Sequence, residues 1–187
     1  GSSYTATKEE FITGAPLPAT DLLIHPNDGA MYFAIGGRRV QSGLYRVTYR
    51  GKESTAPIDL SARETPLRKL RHQLESFHGK ASPKAVKVAW PHLDHQDRFI
   101  RSAARVALEH QPTEHWSDKA LTETKPGRRL AALLALARVK GVAPKQRPKT
   151  GHVIDTATRD QILASLLEVD FTALNHYGKL TYVRLVQ

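Results

Sequence analysis

The chain has 187 residues, a formal net charge of +10 and 40% hydrophobic residues, enough apolar content to bury a core in one large or two small domains. The absence of cysteine excludes disulfides, thiolate zinc sites, a cysteine nucleophile and covalent c-type haem attachment within these residues. No run of about eighteen apolar residues occurs, and no charged and apolar leader with a small-residue cleavage site, so neither a spanning helix nor a signal peptide is expected here.

Gly1-Ser2-Ser3 reads as a tag remnant and is set aside. Residues 4 to 20 hold a possible short strand around Phe11 and Ile12, followed by GAPLPATD, whose glycine and prolines cannot sit inside a helix. Asp21 to His25 is the next expected strand, and Pro26-Asn27-Asp28-Gly29 supplies the positive φ angles of a tight hairpin. Asp28 is therefore a turn residue rather than a metal ligand. Ala30 to Ile35 returns as a strand with Met31, Phe33 and Ile35 on one face, and Gly36-Gly37 breaks it. Gly36-Gly37-Arg38-Arg39 is no phosphate cradle, because no helix follows to present its amino end to an anion. Leu44 to Arg50 is the third strand, with Tyr45, Val47 and Tyr49 on one side. Three strands need a covered face, and their open edges allow self-association.

Charge and periodicity both change near residue 60. Residues 1–60 carry 6 Lys+Arg and 6 Asp+Glu; residues 61–187 carry 22 and 12, together with eight of the nine histidines. Two domains are expected, a β-meander over 1–60 and an α-helical domain over 61–187. Lys52 to Arg63 forms the polar connector between them.

Thr65-Pro66 caps and opens a helix through about Phe77, with Leu67, Leu70, Leu74 and Phe77 on its buried face, and Gly79 ends it. Ser82-Pro83 starts a second over Lys84 to Leu93, bent or ended by Pro91. Asp97 stands as N-cap to the clearest amphipathic pattern, in which Ile100, Ala103, Ala104, Ala107 and Leu108 share one face and Arg98, Arg101, Arg105 and Glu109 another. Pro112 begins a weaker helical piece through Trp116, Ala120 and Leu121. Pro126 opens GRRLAALLALARV, whose leucines at 130, 133, 134 and 136 predict burial on more than one side. Residues 140 to 152 are a basic Pro/Gly-rich loop. Asp155 or Thr156 caps a helix with Ile162, Leu163, Leu166 and Leu167 inside, and Asp170 to Gln187 forms a last helix interrupted by Gly178. Seven segments joined by short turns predict a mainly α fold, an antiparallel helical-hairpin solenoid carrying a small N-terminal β-meander.

Asp94-His95-Gln96-Asp97-Arg98-Phe99-Ile100-Arg101-Ser102-Ala103-Ala104-Arg105-Val106-Ala107-Leu108 resembles the core of a HEAT repeat. TDLLIHPNDGAMYFAIGG with GLYRVTYRG resembles the final blade of a β-propeller, and ARETPLRKLRHQLESFHGK with DRFIRSAARVALEHQP the helical segment after it. Over about residues 5 to 140 the combination is similar to large multidomain, propeller-containing, haem-binding dehydrogenase-like proteins of the PVC bacterial group. The resemblance implies a periplasmic or secreted setting and a haem domain elsewhere in the protein. No cofactor, catalytic or metal residue carries over to this chain, since the motifs that would hold them are absent.

His92, Asp94, His95 and Asp97 are four potential metal ligands within six residues, and an inter-helix turn explains the aspartates as caps. Arg101 is expected to pair with Asp97 in a repeat ladder. Lys84, Lys87, Arg98, Arg105 and Lys119 are the expected partner-binding residues, on a concave basic face. The expected function is a non-catalytic helical-repeat scaffold for protein-protein interaction, docking an acidic protein surface or adjacent redox domain. The alternative is nucleic-acid binding through the same face, although no base-reading motif is present and the aromatic residues are sparse.

Overall fold

A computed structural model of the chain describes residues 1–57, 64–141, 150 and 155–187. Two compact units emerge, Thr5–Ala62 and a second formed by Gly1–Tyr4 with Arg63–Gln187.

The first unit is a three-stranded antiparallel sheet of order β1-β2-β3, with β1 at Ala19–Ile24, β2 at Met31–Gly37 and β3 at Val40–Val47. Gly29 takes φ +65°, and Gly29 N–H donates to His25 O at 2.9 Å, closing the β1–β2 turn. Asp28 holds this turn from inside: Oδ1 accepts from Ala30 N–H at 3.0 Å and Oδ2 from Tyr32 and Arg46 at 3.1 Å each. The second hairpin turns at Arg38-Arg39, where Gly37 pairs with Val40 and Arg39 has φ +66°. The third strand thus begins at Val40, ahead of the expected Leu44, because this tight turn brings residues 40–43 alongside β2, where the pairing continues across a one-residue irregularity between Ile35 and Gly37. Phe33 and Tyr45, partners across β2 and β3, stack at 5.0 Å. Burial in the sheet is slight: Ala30, Phe33 and Ile35 are covered, and all of β1 is exposed. Phe11 and Ile12 lie outside any strand and are exposed.

The second unit holds α1 (Pro66–Glu75), α2 (Ala85–Ala89), α3 (Arg98–Glu109), α4 (Ser117–Thr122), α5 (Pro126–Lys140), α6 (Thr156–Leu167) and α7 (His176–Val186). Thr65 caps α1 by accepting from Arg68 N–H, and Pro66 supplies the preset first φ. Pro91 halts α2 early, so Trp90–His92 continues as a single 3-10 turn. The alanines of α3 give a thin ridge that lets α1 and α5 pack on it. Leu130 to Leu136 of α5 are buried without a break, and α5 packs against α3, α4, α6 and α7.

This arrangement corrects the expected fold class. Among the described residues the fold is mixed, with seven helices and a three-stranded sheet, about 46% helical and 12% strand, and no repeat solenoid. In a solenoid each hairpin meets only its neighbours. Here α3, α4, α6 and α7 all pack on one apolar helix, α5, while α1 and α2 pack on α3, so the unit has a centre rather than a repeat axis. In α6 the correction is local: Ile162 and Leu166 are buried, whereas Leu163 and Leu167 face outward.

The first four residues are integral to this unit. Ser2 is buried, its N–H donating to Asp97 Oδ2 at 2.7 Å; Arg68 donates to Ser3 O and lies 3.9 Å over the Tyr4 ring. Much of the expected loop at 140–152, and the end of the connector at 58–63, lie outside the described residues. Among the described residues no helix is long and apolar enough to cross a membrane.

Candidate functional site

The five expected partner-binding side chains divide into two groups. Lys84 and Lys87, at the start and on the surface of α2, are exposed, as is Arg98 at the first position of α3. Lys119 on α4 is exposed and its Nζ lies 4.4 Å from the Trp90 ring centre. Among the described residues none of these four cations has a carboxylate partner; Arg98 rests over the Phe99 ring at 4.8 Å instead. Arg105 differs. It forms an ion pair with Glu109, whose Oε1 also accepts from Arg138 Nε at 2.9 Å, so its guanidinium is engaged within the fold.

The Trp90 ring beneath Lys119 is fixed by its indole N–H, which donates to Glu123 Oε2 at 2.7 Å. Burial pushes the Glu123 carboxyl upward, but the Lys125 N–H and the indole outweigh it and hold the group below the usual range. Glu123 therefore stays charged and in place to orient the tryptophan.

The quartet at 92–97 is dispersed among separate structural tasks. Asp94 Oδ1 accepts from Arg128 Nε at 3.0 Å, and Arg128 also donates to Pro91 O. Asp97 caps α3 through Phe99 N–H at 2.9 Å and accepts from Ser2. His95 Nδ1 accepts from Asp97 N–H at 3.0 Å. Burial, with His95 and Arg128 nearby, shifts His92 downward despite Asp94. Among the described residues no three His, Asp or Glu groups gather as a metal would require.

Arg101 does not make the expected pair with Asp97. Its Nη1 donates to His95 O at 2.6 Å and Gln96 O at 2.8 Å, and the Tyr177 ring lies 4.2 Å from its guanidinium carbon. An extended backbone at Asp97 (φ −75°, ψ 120°) turns that carboxylate toward amide N–H groups, while Arg101 folds back over the preceding loop.

Arg101 also lines a cavity of about 520 Å³ in the helical unit. Its wall combines the loop before α3, the first turn of α5 at Pro126-Gly127, and the approach to α7 from Ala173 to Gly178. Gly127 permits the closure, since a Cβ there would stand 3.0 Å from Asp94 Cβ. Sequence reasoning does not find this cavity, because its walls come from segments some thirty and eighty residues apart; the glycines at two helix starts were the available signal.

Comparison with protein families, curated proteins and solved structures found no match.

Proposed function

We propose that this chain is a non-catalytic docking module that meets an acidic protein surface through Lys84, Lys87, Arg98 and Lys119. The observation that supports this reading is the contrast in charge matching. Arg71, Arg105, Arg128, Arg129 and Arg138 of the helical unit each face a carboxylate, whereas these four exposed cations face none among the described residues. Unmatched surface charge contributes little to folding but steers association with an oppositely charged partner. Arg105 leaves the proposed set because its guanidinium is held by Glu109.

The setting suggested by the resemblance is a larger secreted or periplasmic haem-dependent protein of the dehydrogenase-like type. In that reading the partner is an adjacent redox domain, and the redox chemistry lies outside these residues.

Titration of the whole chain with poly-L-glutamate, duplex DNA and RNA at two salt concentrations tests the assignment. Polyglutamate should bind with an affinity that falls as salt rises, and K84E/K87E/K119E should weaken it about tenfold or more at unchanged helical circular dichroism. Tighter binding of DNA or RNA at equal ionic strength would instead support a nucleic-acid interface. An unaffected triple variant would remove these residues from the interface.

A further inference from the structure

Arg101 and His95 line the cavity of the helical unit, and each has a nitrogen donor that the described residues leave without an acceptor. Arg101 has no carboxylate partner there: Asp94, on the same wall, is held by Arg128 at 3.0 Å, and the Asp97 oxygens accept from Phe99 and Ser2 N–H groups. Of the Arg101 nitrogens, Nη1 serves two loop carbonyls and Nε is sealed from solvent without an acceptor. Nη2 has no acceptor either and, unlike Nε, is not sealed. Such a guanidinium is an anion-binding group already oriented by the fold, with its rotamer fixed by the loop carbonyls and its face covered by Tyr177.

His95 supplies the second donor. Because Asp97 N–H donates to Nδ1, the neutral ring carries its proton on Nε2, which has no acceptor among the described residues. Pro126, Leu130, Ala173 and Leu174 give part of the wall an apolar character, beside the polar Gln96, Asn175 and Thr181. A volume of about 520 Å³ is in the range of small-molecule sites.

We propose that this cavity binds an organic monocarboxylate with a short apolar body. One unmatched guanidinium balances one negative charge, and the two donors suit the two oxygens of a carboxylate. The apolar wall takes the hydrocarbon part, which a bare inorganic ion would leave unused. The inference is independent of the docking surface, since Lys84, Lys87, Arg98 and Lys119 do not line the cavity.

The test is titration of the whole, nitrogen-15-labelled chain with isocaproate, its neutral analogue isocaproamide, and inorganic phosphate, followed by amide NMR. Isocaproate should give saturable shifts at residues 94–97, 126–127 and 174–178, with affinity about tenfold or more above that of the amide. R101Q should reduce isocaproate affinity by a similar factor. Because Arg101 also braces the loop, A173W provides a second route: Ala173 is exposed and lines the cavity, so tryptophan there should block binding while the helical spectrum is retained. Equal binding of acid and amide, tighter binding of phosphate, absence of saturable shifts, or undiminished binding by A173W would each overturn the proposal.

Discussion

Asp97 caps α3 and accepts from the Ser2 N–H ninety-five residues earlier in the chain. Its place before an apolar period identifies an N-cap, and Phe99 N–H at 2.9 Å satisfies that role. Spacing of four residues also suggests an ion pair with Arg101, yet the capping conformation turns the carboxylate away from it. The Ser2 N–H is the largest influence on its acidity; burial opposes it, and the Ser2 hydroxyl and the amides of Phe99 and Ile100 add to the stabilisation of the anion. Together they lower the group from an ordinary 3.8 to about 2. A carboxyl whose folded value is depressed stabilises the fold above its unfolded value and loses that contribution as pH falls through the folded one. D97A should therefore cost about 1 kcal/mol in urea unfolding near neutral pH. The gap from the parent chain should narrow between about pH 4 and about pH 2. A gap independent of pH over that range would show that the charge contributes nothing.

At the scale of elements, helix α5 is where small geometric changes should be felt most. Its first turn closes against Asp94 at Gly127, a position where helix propensity alone favours alanine by about 1 kcal/mol in a helix interior. A Cβ 3.0 Å from Asp94 Cβ requires the loop to give by a few tenths of an ångström, and Arg128, which holds Asp94 at 3.0 Å, resists that movement, so the contact should cost more than the propensity gains. G127A is accordingly expected to lower the thermal midpoint by a few degrees, since about 1 kcal/mol corresponds to roughly 2–4 °C for a chain of this size. A raised midpoint would mean that propensity prevails over contact.

The same elements explain which parts of the fold were legible. The period of α3 has a single apolar stripe, so sequence and burial agree at Ile100, Ala103, Ala104, Ala107 and Leu108. In α6 the adjacent pairs Ile162-Leu163 and Leu166-Leu167 admit two faces, and only packing against α4 and α5 selects the buried one. Gln111 was not foreseen at all. It is buried, with its side chain bonded to Ser82 N–H and to the carbonyls of Lys80 and Ala107, a role defined by distant backbone rather than by local pattern. The solenoid expectation failed for the related reason that a helix count does not specify which helix lies at the centre.

At the scale of the whole molecule, the contrast between the two units predicts unequal stability. Each strand pair of the sheet carries one register irregularity, and among the described residues only Ala30, Phe33 and Ile35 are buried there, while Leu22, Leu23, Ile24 and Leu44 are exposed. Three strands with so little covered apolar surface lie near the limit of independent stability in water. The helical unit instead joins Leu74, Trp90, Ile100, Leu108, Trp116 and the α5 leucines in one continuous core. Amide hydrogens in such a core exchange only through large-scale opening, whereas weakly packed strands open locally at lower free energy. Hydrogen–deuterium exchange of the whole chain should therefore label β1 to β3 much earlier than α3 and α5, with β1 first because every one of its residues is exposed. Acidic partners added at low salt should slow exchange around α2 and the start of α3, if docking occurs there, without protecting β1. Exchange in the strands as slow as in α5 would show that the sheet gains its stability from burial beyond these three side chains.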